Sequence, residues 1–222
     1  MRITIDQELK AKCPGTALAC VTSQVSAGAT PEGLLDELRT QQQEILRLPD
    51  PAVVLTSRPI RATREAYKAL GKDPARYRGS AEALLRRIIA GKGLPRIHAV
   101  VDAINLLAVE SRLPVCLFDL AHVTGDIVFR AGRAGETYKG IGKYELNLEG
   151  LPVFSDALGP FGSPTSDSER TMVTAETRRI LLVVISFSGA EALAPWGARA
   201  RELLERYAAG RETALELVES SS

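Results

Sequence analysis

Ile97–Asp119, IHAVVDAINLLAVESRLPVCLFD, is the stretch whose reading decides the fold. Ile97, Val100, Val101, Ile104 and Ala108 recur at spacings of three and four, which puts them on one face of a helix and assigns them to a core. His98, Asp102 and Asn105 form a second row at helical spacing. Hydrogen-bonding side chains beside an apolar face either line a ligand pocket or form a solvated flank or satisfied structural network. The helix feeds a short apolar strand, Val115 to Phe118.

Upstream of this unit, Arg2 to Ile5 alternates like an edge strand, and Ala17 to Val21 is a second short apolar run after Pro14-Gly15. Thr30-Pro31-Glu32 signals a helix start, with Leu34, Leu35, Leu38, Ile45 and Leu46 as its apolar face and Pro49 and Pro51 as its stop. A further helix runs from near Pro59 to Gly71. Ser80 then caps a helix through Ala83, Leu84, Ile88 and Ile89 that Gly91 ends. Downstream, Asp126 to Phe129 and Pro152 to Ser155 read as strands, separated by the Gly-rich turn at Ala131 to Gly135. Arg179 to Phe187 reads as a central strand covered on both faces, because its apolar run is nearly continuous. Ser188-Gly189-Ala190-Glu191 fits a capping box for a final helix whose start Pro195 delays. The tail after Gly210 reads as a short helix fraying into Glu219–Ser222.

Helices clustered between scattered strands, without regular alternation, argue for an α+β, layered fold with a large mixed β-sheet covered by helices. The expected organisation is N-terminal strands and a helix over 1–55, packed on a main domain over 56–210, with a tail over 211–222, in one unit. A chain of 222 residues, 45% hydrophobic and 25% charged, has an ordinary globular profile. No apolar run approaches the roughly 20 residues that span a bilayer, and Met1 to Ile5 lacks a signal peptide's apolar core, so no membrane partner and a cytoplasmic location are expected. Cys13, Cys20 and Cys116 are odd in number and have no metal-ligand spacing, which argues for reduced thiols and no bound metal or cofactor.

The net charge of +1 hides an uneven distribution. From Arg58 to Arg96 eleven cations, including Arg76, Arg78, Arg86, Arg87 and Lys92, face only Glu65, Asp73 and Glu82. Arg61, Arg64, Lys68 and Lys72 follow one another at helical spacing. Such a ridge either neutralises RNA phosphates or is a solvated flank.

Asp156 to Thr177 has no long period and is dense in Gly, Pro, Ser, Thr and Asp, so it reads as an ordered loop. Within it, Ser163, Thr165, Ser166 and Ser168 can donate to a carboxylate or phosphate, and Asp167 or Glu169 can anchor an amine or orient a water. Asx and Ser/Thr turns stabilising a surface loop are the alternative. No Gly-x-Ser-x-Gly elbow or His-Glu-x-x-His helix is present, and Gly140-Ile141-Gly142-Lys143 is not a P-loop. No histidine is visibly placed to activate Cys116 as a nucleophile.

Taken together, Val100-Val101-Asp102, Asn105, Pro114 and Phe118-Asp119, then Gly125, Ile127-Val128, Arg130, Gly135-Glu136-Thr137 and Glu176-Thr177, stand in a familiar order. The region from near Arg76 to Phe187 resembles the tRNA-editing domain of the phenylalanyl-tRNA synthetase beta subunit. The resemblance implies a layered fold around a mixed sheet. It implies a freestanding, RNA-binding protein that binds and hydrolyses a mischarged aminoacyl-tRNA in trans, or else a non-catalytic module on the same scaffold for an amino-acid-like ligand, RNA or protein. The family's late-loop glutamate corresponds to Glu169, the implied catalytic residue, and its motif asparagine to Asn105. The family's threonine, strand histidine and glycine pair correspond to Ile104, Cys116 and Asp167-Ser168. Side chains at Asp167 and Ser168 occupy volume that glycine leaves open, which implies a changed ligand. Arg61, Arg64, Lys68 and Lys72 would hold the RNA backbone.

Overall fold

The computed structural model describes residues 1–142 and 145–219, so Lys143 and the expected fraying at Ser220–Ser222 lie outside the described residues. In chain order the elements are β1 (Ile3–Ile5), α1 (Gln7–Lys12), β2 (Ala17–Gln24), α2 (Glu32–Leu46), α3 (Arg58–Ala69), α4 (Ser80–Ile89) and α5 (Ala99–Ser111). There follow β3 (Val115–Asp119), β4 (Ile127–Ala131), β5 (Thr137–Lys139), β6 (Glu145–Asn147), β7 (Pro152–Asp156), β8 (Gly159–Gly162), β9 (Arg179–Ser186), α6 (Leu193–Tyr207) and β10 (Arg211–Val218).

This is the expected α+β layered fold, with its strands divided between two four-stranded sheets and a hairpin. One sheet has the order β10-β2-β9-β3, with antiparallel pairing throughout. The other, β1-β4-β7-β8, is mixed, because β1 runs parallel to β4 while the remaining pairs are antiparallel. β9 is buried on both faces as its composition requires. Ile180, Leu182 and Val184 pack with Val115 and Leu117 of β3 into a core shared with the helices. Leu181, Val183 and Ile185 alternate to the other side with Cys20, Cys116 and Phe118, where they meet the mixed sheet. The order is thus helices, antiparallel sheet, mixed sheet. The second interface is aromatic: Phe118 meets Phe161 edge-on at 4.8 Å, and Phe129 stacks on Phe154 at 4.4 Å. Gly162 is required here, because a Cβ at that position would collide with the Phe118 ring.

Several local readings are corrected. The tail is a strand, not a helix: Ala, Leu and Glu favour helix, but Arg211–Val218 pairs with the free edge of β2, and tertiary pairing overrides the propensity. The last helix starts at Leu193 instead of at a Ser188 cap; Ala192 precedes it with no side-chain cap bond, and Ser188 N donates to Ser186 Oγ. Ser80 is already helical, with Gly79 at the cap position. Ile97 and Leu46, both assigned to apolar faces, are exposed, Ile97 because the helix begins two residues after it. Part of the expected loop forms β8. α1 was not anticipated; it is one short turn-rich segment started by Asp6, whose Oδ1 accepts from Glu8 N and Leu9 N.

Candidate functional site

The polar row of α5 resolves into three different roles. His98 is the N-cap, its Nδ1 accepting from Val101 N at 3.4 Å. Asp102 is fully buried and accepts from Thr30 Oγ1 at 2.7 Å and Ile97 N at 3.0 Å, which makes it a structural clasp. Asn105 faces a cavity, and its buried Nδ2 has no hydrogen-bond partner among the described residues. A buried amide donor left in that state costs about 1–3 kcal/mol, so it needs a reason.

α5 ends at Arg112, which adopts a left-handed conformation with φ 59°, and Pro114 disfavours a helical Leu113 before β3 begins at Val115. β3 lies at the edge of its sheet, and its outward amides are covered by side chains instead of by another strand. Ser80 Oγ accepts from Val115 N at 2.9 Å and donates to Val115 O at 3.1 Å. Asp167 Oδ2 accepts from Leu117 N at 3.2 Å. The carboxylate that fills the expected glycine position therefore ties the late loop to β3.

Between these parts is a cavity of about 240 Å³. Val101, Ile104 and Asn105 of α5 form one wall, Val115 and Leu117 of β3 the floor, and Asp167, Met172 and Val173 of the loop the opposite wall. The exposed Ile97 and Ile141 stand at its margin. Ser80 also lines it, and a mostly apolar enclosure with an amide, a carboxylate and a hydroxyl is the usual grammar of a small-molecule site; its size is below the roughly 300–1,000 Å³ that holds drug-sized ligands. A larger opening of about 680 Å³ lies near Asp119 and Arg178, but Asp119 there is engaged by Thr177 Oγ1 at 2.6 Å and Ala121 N at 2.9 Å.

The loop hydroxyls mostly hold the loop itself. Ser163 Oγ accepts from Thr165 N and Ser166 N, a Ser/Thr turn. Thr165 Oγ1 meets the buried Tyr67 hydroxyl at 2.8 Å, and Tyr138 donates to Ser166 O at 2.5 Å. Burial pushes both phenols above their ordinary range, in Tyr138 with help from the Asp167 charge. Ser168 is buried, its Oγ 3.5 Å from Thr171 Oγ1. Arg170 clamps the loop with two bonds to Asp156 at 3.0 Å.

The other expected site residues do not converge on this cavity. Glu169 is exposed in a short 3-10 turn and pairs with Lys139 at 2.9 Å. Cys116 points to the opposite face of β3, into the core between the sheets. Burial, then the Asp167 charge, pushes its thiol well above the ordinary range, so it is an inert packing residue. Of the basic row, Arg61 and Lys68 are exposed on α3, Arg64 is drawn to Glu82 at 2.8 Å, and Lys72 lies beyond the helix with its ammonium 4.7 Å from the Tyr77 ring centre. The row is not a continuous ridge. Among the described residues no group of His, Cys, Asp or Glu is arranged to hold a metal, and no helix is long and apolar enough to cross a membrane.

Sequence reading missed Ser80, Ile141, Met172 and Val173 as cavity neighbours. Nothing local marks them; only the return of the loop across β3 brings them to Asn105.

Residues 62–195 match the family profile described as the B3/4 domain. The phenylalanine–tRNA ligase beta subunit of Paramagnetospirillum magneticum is 37% identical over 83 residues, covering 37% of this chain and 10% of that protein. The same subunit from Chromobacterium violaceum is 33% identical over 123 residues, covering 54% of this chain and 15% of that protein. A solved N-terminal fragment of the phenylalanyl-tRNA synthetase beta subunit from Pyrococcus horikoshii aligns over 99% of this chain and 50% of that chain, with 15% identity and a TM-score of 0.47. The chain thus spans only a small part of the curated relatives it matches.

Proposed function

Because the chain belongs to the B3/4 domain family, we propose that it binds the aminoacyl end of a charged tRNA and hydrolyses the ester in trans. The observation that carries this reading is the buried, unpartnered Asn105 amide in an apolar, amino-acid-sized cavity that also presents the Asp167 carboxylate. The side chain of an aminoacyl group would pack between Ile104, Leu117 and Val173. Its ammonium would face the Asp167 carboxyl on the cavity wall. The Asn105 Nδ2 would donate to the ester carbonyl. An aminoacyl ester is already activated, so positioning a water and stabilising the developing oxyanion are the main requirements. Glu169 is the proposed residue for orienting that water; it would first have to leave Lys139.

A second reading rests on the same fact. With Glu169 paired outside the cavity, Cys116 turned away from it and the Ser80 hydroxyl engaged by Val115, the described lining offers Asp167 as its one acid–base group. The protein would then bind an amino-acid-like ligand without cleaving anything.

A panel of mischarged tRNAs separates the two. Deacylation of at least one member, reduced about a hundredfold in Asn105→Leu, is expected if the amide stabilises the reacting carbonyl. No turnover on any member, together with thermal stabilisation by a free amino acid, would transfer the assignment to the binding module.

A further inference from the structure

The fold gathers a set of cations that helical spacing alone passes over. Arg76 and Arg78 of the α3–α4 connection, Arg86 and Arg87 of α4, and Lys92 just beyond it line one cavity of about 350 Å³. Thr165 completes its wall, steadied from behind by the buried Tyr67 hydroxyl. All five cations are exposed. Glu82 of α4 is buried and shares Oε1 between Arg64 and Arg86 at 2.8 Å each. Arg76, Arg78, Arg87 and Lys92 make no ion pair with any described carboxylate. Two of the guanidiniums are oriented by other means: Arg87 Nε donates to Gly93 O at 3.2 Å, and Arg76 lies 5.6 Å from the Tyr77 ring centre.

A solvated flank on this protein has a different composition. On α2, Arg39 is matched by both Glu32 and Asp36 at 2.5 and 2.7 Å. A concave group of five cations of which Arg86 alone pairs with a described carboxylate repels itself and raises the local concentration of anions. Guanidiniums present a planar fork that fits phosphate oxygens, and a hydroxyl beside them adds a donor.

The basin also adjoins the cavity of the α5–β3 site. Helix α4 contributes Ser80 to one and Ala83 to the other, and the short loop contributes Asp167 to one and Thr165 to the other. We propose that this basin is the phosphate-binding subsite of the protein, holding backbone phosphates next to the 3′ end of an RNA whose aminoacyl group enters the Asn105 cavity. The assignment of the RNA rests on the function proposed above. The binding energy from such a subsite positions the ester without touching it.

The test is equilibrium binding of deacylated tRNA to the full chain across a salt series, by fluorescence anisotropy. Arg78→Ala/Arg87→Ala removes two exposed cations without disturbing a core. It is expected to weaken binding at least tenfold at low salt and to reduce the log-log salt slope by about two. Arg39→Ala/Arg47→Ala, charge-matched on α2 and at its C-cap, is expected to bind within about twofold of wild type. The proposal is overturned if wild type does not bind tRNA, if the basin variant retains wild-type affinity and slope, or if Arg61→Ala/Lys68→Ala takes the loss instead. Deacylation is measured in parallel: basin-dependent binding without turnover upholds the basin and rejects hydrolysis, while turnover with an unchanged KM in the basin variant does the reverse.

Discussion

At the scale of single residues, Asp102 and Asn105 stand three positions apart on the same flank of α5 and do opposite things. The spacing that placed them together was legible in the sequence; the difference between them was not. Asp102 meets Thr30 and the Ile97 amide, partners set by how the preceding segment crosses the helix start. Asn105, one turn further on, meets no partner among the described residues. Asp102→Ala should therefore lower stability by about 2–3 kcal/mol, the cost of stranding two donors of a buried carboxylate. The shift in urea midpoint at constant slope measures it, and a loss under about 0.5 kcal/mol would contradict the clasp role. Cys116 shows the limit of reading by correspondence. Its place in the motif suggested a ligand contact, yet alternation along β3 turns it to the core between the sheets.

Among the elements, β3 explains why the loop was only half readable. Its edge amides required partners, and no adjacent strand supplies them. Ser80 and Asp167, 35 and 50 residues away from their β3 partners, take that place. Such pairings have no local sequence signal, which is why Ser80 read as a helix cap and Asp167 as a loop acid. Ser80→Ala should cost about 1–2 kcal/mol and lower hydrogen-exchange protection at Val115 specifically. Unchanged exchange at that amide would show that the edge is held by something else. β10 makes the complementary point. Its Ala, Leu and Glu content argued for helix, and the vacant side of β2 made it a strand. The close seat of α6 on it is possible because position 197 is glycine, where a Cβ would stand 2.6 Å from Leu215.

For the whole molecule, the strong periodic segments were enough to give the layered class. What they could not give was the convergence of Arg76, Arg78, Arg86, Arg87 and Lys92, which depends on how α3 turns into α4. Stability against acid is also a property of the assembled layers. Two bonds from Arg130, at 2.7 and 2.8 Å, hold the Glu136 carboxyl below its usual range. Burial alone would raise Asp156, but the Arg170 bonds and two backbone amides outweigh it and lower that carboxyl as well. A carboxyl lowered in the folded state contributes stability that is complete above the ordinary carboxylate range and is lost as pH falls through its folded value. Urea midpoints should therefore decline on acidification below that range, and Arg130→Met and Arg170→Met should each flatten the decline. Equal acid slopes in wild type and both variants would remove these pairs as its cause.

The central position of β9 has a consequence for synthesis. Both sheet neighbours of β2, β9 and β10, are made long after it. Roughly 150 residues separate Gln24 from Arg179, which at translation rates of about 5–20 residues per second amounts to on the order of 10 s. Through that interval Leu18, Ala19 and Val21, all destined for complete burial, emerge without their sheet. The nascent chain therefore carries an unpaired apolar strand until β9 has been translated, and that interval is when β2 is most open to chaperone capture or aggregation.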